Sequence, residues 1–396
     1  MAAFSGTLNA NHIQSALFNM IISQDIIGGS IHANYNLVEK AKNEAGLYGD
    51  TKLFIDAPNL TPVDWVQDSE DAVNLLALDR PGAPKTQPIT INVFKQVRLT
   101  KDDYLSKQAF GTEGAFVAYQ SVLDSRISKA KETYLNKTYN TFIGTCGANV
   151  TENIDLDANS DTIGQNIAFG LTMLVDDMKD YNTKYTYNGF ERAFSESEIK
   201  IVWNNKYVNS VRKIDTPVLY NPGVVNEVFK GDVLPSRYFG DILTATNLKT
   251  YAIATAYSAG DMIYNSGKVY KVTTDIAAAD NTAITDVVKT ELEVRAVKDK
   301  VVTISDEKKY VAAGSVIPSG STIGASTTTF IYGEVYAVNE DIICKVFTKL
   351  PPVLEAFSVG TSFFNAKNLS TNMYLTFGHS TLVTLDSEAI VTVYAE

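Results

Sequence analysis

Residues 79–94 read Asp79-Arg80-Pro81-Gly82-Ala83-Pro84-Lys85-Thr86-Gln87-Pro88, then Ile89-Thr90-Ile91-Asn92-Val93-Phe94. The prolines fix φ and remove backbone donors, so the first part is an extended arm. The second part sets Ile89, Ile91 and Val93 against Thr90, Asn92 and Phe94, the period-two pattern of a strand with unlike faces. From Glu113 the period changes. Phe116, Tyr119, Leu123, Ile127, Ala130, Tyr134, Thr138 and Phe142 recur every three or four residues with no proline between them. A helix from Glu113 to Phe142 is a rod of about 45 Å, far beyond the ~11–12 residues of a mean globular helix. A long rod beside a proline-pinned arm suits a subunit that reaches its neighbours. It does not suit an active-site scaffold.

Charge divides sharply around this stretch. Residues 1–78 hold three lysines against nine acids, with Asp64, Asp68, Glu70 and Asp71 clustered. Residues 79–107 hold six bases, among them Arg80, Lys85, Lys95 and Arg98, against three acids. Solvated loops commonly produce such blocks. In an assembling subunit, complementary patches set register and encounter rate between neighbours, so these eight residues are the candidate inter-subunit contacts.

Elsewhere the 396 residues read as several pieces. Ile13, Ala16, Leu17, Met20 and Ile21 share one face of a short helix over 11–25, stopped by Gly28-Gly29. That helix either covers its own core or docks on a neighbour. Ser160-Asp161 can cap a helix running to about Tyr181, with Ile163, Ile167, Leu171, Leu174 and Met178 on one stripe. A buried strand over Glu198–Trp203 and a short helix over Lys206–Lys213 follow. Residues 250–330 turn rich in Thr, Ser, Ala and Val, with strand candidates at Thr303-Ile304, Tyr310-Val311 and Thr329–Tyr332. This reads as a small inserted β module that folds largely on itself and faces outward. Glu334–Val346 and Glu388–Tyr394 alternate again and return the chain to the main fold.

The order of these parts resembles the major capsid protein of tailed bacteriophages. The resemblance rests on Arg80–Thr100, then Lys101-Asp102-Asp103-Tyr104-Leu105 and the helix from Glu113, with Val233-Leu234-Pro235 and Tyr238-Phe239-Gly240 similar to a strand and turn of that fold's axial domain. It implies an α+β fold with an N-terminal arm (1–50), an extended loop with flanking strands (51–112), a spine helix with axial and peripheral domain (113–249), the inserted module (250–330) and closing C-terminal strands (331–396). It also implies a virion protein, made in the host bacterial cytoplasm, that joins copies of itself in pentamers and hexamers around double-stranded DNA. Scaffolding and portal proteins are further expected partners. The nearest flavour is that of short-tailed phages of Gram-positive hosts.

Ala256–Lys271 resembles the first half of a small carbohydrate-binding module related to chitin-binding domains, with Tyr257 where tryptophan is usual. Tyr257, Tyr264 and Tyr270 are therefore either packing residues of a hairpin turning at Asn265-Ser266-Gly267 or a glycan-stacking patch. The alternative function that follows is a carbohydrate-binding phage tail or cell-surface protein.

Composition narrows the field further. Hydrophobic content is 45%, mean hydropathy −0.05 and net charge −11, which argues against a sequence-reading nucleic-acid binder and leaves only non-specific proximity to packaged DNA. Twenty-one Tyr and 18 Phe against two Trp suit strands and interfaces. Cys146 and Cys344 make neither a disulfide framework nor a zinc spacing and are expected as buried thiols. No stretch reaches the ~18 apolar residues of a membrane span. His12, His32 and His379 sit in unrelated contexts, with no HExxH, GxSxG or GxxxxGK[ST] pattern. Paired acids such as Asp176-Asp177 and Glu340-Asp341 read as solvated. No catalytic residue, cofactor or metal site is expected.

Overall fold

The computed structural model describes residues 36–62, 80–102, 113–157, 163–212, 231–324 and 329–396. The expected helix over 11–25 and its glycine stop lie outside these residues, as do the Ser160-Asp161 cap and the Asp103-Tyr104-Leu105 run. A short helix α1 (Leu37–Ala41) leads into β1 (Lys42–Gly46) and β2 (Thr51–Asp56). The decisive stretch is a single strand of 18 residues, β3 (Lys85–Asp102). Its first six residues pair with β2, and burial alternates along its length as the period-two reading requires.

The long helix α2 runs Glu113–Thr145, three residues past the expected end. Its inward side differs from the expected stripe. Leu135, Tyr139, Ile143 and Cys146 enter the core, while Tyr134 and Phe142 pack at its margin. The reason lies in the surroundings. Residues 135–146 are enclosed on nearly every side and 114–134 are half open, so no one stripe describes the whole rod. Then come β4 (Val150–Ile154), α3 (Ile163–Lys179), β5 (Lys200–Asn204), α4 (Asn205–Arg212) and β6 (Asp232–Leu234). On α3, Ile167, Leu171, Leu174 and Met178 are buried as expected, whereas Ile163 is exposed.

The β-rich module opens at β7 (Gly240–Ile242) and continues through β8 (Leu248–Thr250), β9 (Met262–Asn265), β10 (Lys268–Val272), β11 (Lys289–Leu292) and β12 (Val294–Ala296). It is completed by β13 (Lys300–Ile304), β14 (Glu307–Val311), β15 (Ile323–Gly324), β16 (Phe330–Ile331) and β17 (Val335–Val338). Strands β7 and β17 pair with each other, so the chain leaves and re-enters the body side by side. The paired elements therefore extend beyond the compositional limits of 250 and 330. Turn chemistry is local: Ser266 and Gly267 both hold positive φ between β9 and β10, the geometry of a two-residue hairpin loop. Two apolar clusters fill the module, one around Leu248, Val269 and Phe330, the other around Tyr257, Ile263 and Val272.

The chain closes with β18 (Ile342–Phe347), β19 (Val353–Asn365), β20 (Ser370–Ser380) and β21 (Ile390–Ala395). Two five-stranded sheets result. The body sheet has the order β4-β21-β18-β5-β6 and the long sheet β1-β19-β20-β3-β2. Every residue of β18 is buried, which departs from the expected alternation. The body sheet lies between α3 and α4 on one face and α2 on the other, as its two clusters show, and a strand covered on both faces has no polar side. Both cysteines are buried free thiols.

The last turn of α2 makes a close approach to the backbone at Tyr238. A Cβ on Gly144 would fall 2.0 Å from the Tyr238 carbonyl oxygen. Helix propensity alone favours alanine over glycine by ~1 kcal/mol, but here the contact decides the sign. Gly144→Ala is expected to destabilise the chain by ~1–3 kcal/mol through overpacking, measured by urea unfolding; a stabilised variant would refute the contact.

Candidate functional site

The basic arm is built into its own chain more firmly than its sequence implies. Asp56, at the end of β2, is buried and takes hydrogen bonds from Arg192 Nη2 and from Asn188 Nδ2, the latter at 2.7 Å. Beside it, Lys85 Nζ donates to the Asn188 carbonyl at 3.1 Å and stands 5.7 Å above the Phe190 ring. The loop end of the β2–β3 pairing, where Asp56 stands opposite Lys85, is thus fixed to the body. Lys95 pairs with Asp299 of the module at 2.7 Å. Of the four basic side chains expected to meet acids of another copy, Lys85 and Lys95 have partners within their own chain. Arg80 is exposed. Arg98 is exposed too, and its Nε donates to Gln96 Oε1 at 2.7 Å. Asp64, Asp68, Glu70 and Asp71 lie outside the described residues.

The Lys95–Asp299 pair belongs to a polar junction between the long sheet, α2 and the module. His379 is buried, with Nδ1 2.6 Å from the Ser380 carbonyl oxygen, so Nδ1 carries the proton and donates. Nε2 then accepts from the Tyr134 hydroxyl at 3.1 Å. Burial pushes the His379 pKa below its ordinary value; the Ser380 contact and the acidic Asp299 and Glu355 resist this, and Lys95 adds to it. Tyr134 is raised, first by burial and then by Asp299. Nearby, burial would raise the Glu355 carboxyl, but Lys131 and Lys42 override it and hold that group below the usual range. Lys42 is 3.2 Å away and Lys131 is also paired with it.

The three tyrosines of the module do not form one face. The Tyr257 ring is buried and stacked on Tyr251 at 6.0 Å, with its hydroxyl bonded to the backbone of Ala252. Tyr270 packs beside that cluster, whereas Tyr264 packs against the other one. Glycan stacking needs an open ring, and Tyr257 has already committed its ring to packing.

Conventional site chemistry is sparse. Among the described residues no group of three or more His, Cys, Asp or Glu could hold a metal ion. No described helix is long and apolar enough to cross a membrane. Asp177 accepts from the Tyr185 hydroxyl and Asp176 pairs with Lys179. Glu340 pairs with Lys206 and Asp341 with Lys271. The surface is more informative. Leu53, Ile55 and Leu60 are exposed on the β2–β3 hairpin, Phe169 and Met173 on α3, and Phe357, Val359, Phe363 and Phe364 on β19. The β19 set escaped the sequence reading. Its signal was present, since 357–365 alternates without any charge.

Neither a protein-family model nor a curated protein matches this sequence. Solved structures do match its fold. A chain in the capsid structure of Staphylococcus phage Andhra superposes with a TM-score of 0.53 at 11% identity, covering 95% of this chain and 90% of that one. A chain in the structure of head fiber and inner core protein gp22 of native bacteriophage P68 gives 0.56 at 10% identity, covering 94% and 88%. At such identities the likeness is one of fold. The α+β fold of a tailed-phage capsid protein, expected from the order of parts, is the fold this chain has.

The junction carries a pH signature. Because the folded His379 pKa lies below the unfolded value of about 6.5, the unfolded chain takes up the proton first as pH falls. The contribution is complete above that value and is lost on acidification. Thermal unfolding at pH 7.5 and 5.5 should show a loss of stability for the parent that His379→Asn reduces. An unchanged pH dependence in the variant would refute it.

Proposed function

We propose that this chain is a major capsid protein, many copies of which close an icosahedral shell around phage double-stranded DNA. The observation that carries the reading is the fold match over 95% of the chain to a phage capsid structure, which takes in hairpin, long helix and both sheets together. The exposed large apolar residues on the hairpin, on α3 and on β19 support it, since a subunit packed among its copies covers such side chains on assembly. In this reading the hairpin reaches an adjacent copy, α2 stiffens each subunit, and the body packs into pentamers and hexamers. Weak contacts suffice because each copy is held by several neighbours at once.

The role is structural rather than catalytic. Scaffolding and portal proteins are its proposed assembly partners, in the host cytoplasm where the chain is made. The net charge of −11 fits a wall that packaged DNA meets without sequence recognition. The Staphylococcus phage neighbour supports a Gram-positive host. The carbohydrate-binding alternative loses its main support with the burial of Tyr257.

Electron microscopy of the purified chain, alone and co-expressed with its phage's scaffolding protein, tests this directly. Closed megadalton particles are expected, and only monomers or small oligomers under both conditions would overturn the reading.

The arm supplies a finer test. Lys85 and Lys95 already meet the body and the module, whereas Arg80 and Arg98 are exposed on the arm, and an exposed pair contributes only ~0–1 kcal/mol. Reversing both to Glu should slow assembly in low salt, leave subunit stability unchanged, and matter less as salt rises. Reversing Lys85 and Lys95 should instead lower the melting temperature of the isolated subunit. Equal assembly rates for the Arg80/Arg98 variant and the parent in low salt would remove these two arginines from the contact.

A further inference from the structure

Among the described residues, strand β19 is partnered on one edge and largely bare on the other. It pairs with β20 out to Asn365, while β1 covers the opposite edge only from Val353 to Ala356. Beyond that point no described strand lies against it. The bare stretch reads Phe357-Ser358-Val359-Gly360-Thr361-Ser362-Phe363-Phe364-Asn365, without one charge or proline. Solitary edges are ordinarily guarded by lysine, proline, inward charges or bulges. Here the one irregularity, between Ala356 and Val359, sits at the root and leaves the outer part regular. Phe357, Val359, Phe363 and Phe364 are 59%, 55%, 53% and 56% exposed, unusual for a strand that ends its sheet in water.

The register fixes which side chains share a face. Val359, Thr361 and Phe363 stand opposite Thr376, Tyr374 and Asn372 of β20, and Phe363 stacks on Tyr374 at 5.8 Å. The other face carries Phe377, which meets Tyr134 of α2. The first face is therefore the one turned away from the long helix.

We propose that this edge is an interface between two copies of the chain, which pair β19 against β19 antiparallel about a two-fold axis at Thr361. The sequence is suited to pairing with itself. An axis at Thr361 sets Val359 against Phe363 of the second copy, twice, and Ser358 against Phe364 on the other face. A charge near the centre would meet its like in such an isologous contact, and this stretch has none. The two long sheets become one continuous sheet, with cross-strand apolar pairs as its unit of stabilisation. The inference rests on the shell reading for its supply of copies and specifies one contact within it.

The test uses the full chain carrying Thr361→Cys, whose native cysteines are both buried. Assembled particles treated with copper–phenanthroline should yield mostly disulfide-linked dimers on a non-reducing gel. Particles that yield monomer alone overturn the contact and leave the shell reading intact. If the parent forms no particles, the shell reading fails, and the same oxidation of concentrated soluble chain decides the edge contact by the same outcomes. Hydrogen exchange provides the second measurement on the unaltered chain. Amides of 357–365 should exchange at least ten-fold more slowly in particles than in unassembled chain; equal protection in both would mean that a segment of the same chain covers the edge, and would overturn the proposal. Val359→Lys with Thr361→Lys, both at exposed positions, should melt as the parent does and lose particle formation. Normal particle yield from that variant overturns the proposal.

Discussion

One rigid rod is shared between two sheets, and the rest of the molecule is arranged around that constraint. The final turns of α2 are sunk beneath the body sheet, where Leu135, Tyr139 and Ile143 meet Val202, Phe347 and Ile390. Its end would leave carbonyls without partners. Buried Lys345, on β18, donates to the Cys146 carbonyl at 2.6 Å and places a cation where the helix dipole favours one. The earlier turns leave the body and lie along the long sheet, through Lys101 with Asp124 and Tyr134 with Phe377. A single helix thereby sets the angle between body and long sheet.

The polar junction around Tyr134 fixes register rather than supplying bulk stability. Ion pairs such as Lys131 with Glu355 are partly buried, so their attraction is offset by desolvation. Their value lies in joining pieces far apart in sequence: β3, α2, β19 and the module. Lys95 with Asp299 and the Tyr336 hydroxyl with the Arg237 carbonyl, at 2.7 Å, tie the module to its surroundings. It has cores of its own, yet it is docked.

The apolar residues left outside are as informative as those inside. The hairpin, α3 and β19 each expose large side chains while the body sheet buries its own. A subunit that worked alone would have little use for three such patches. One that lives among copies of itself needs surfaces that become interior on assembly, and weak patches allow errors to dissociate before the structure closes.

The sequence by itself determined the elements. Proline spacing and the Ile89–Val93 alternation defined the extended strand, helical periodicity defined α2 and α3, and the change of composition near 250 marked a stretch of short strands. These are local properties, written within a few residues of where they act. The sequence also held the β19 edge in plain view, but an uncharged alternating stretch reads alike whether its strand is central or terminal. Only the tertiary structure decided which edge stayed bare, which face of α2 was enclosed, and that Lys85 and Lys95 were already occupied by their own chain. Those outcomes depend on residues one to three hundred positions away, such as Asn188 and Asp299, and burial of Tyr257 depends on what packs over it. Periodicity records which side chains can share a face; which face meets protein and which meets water is settled by the packing of distant segments.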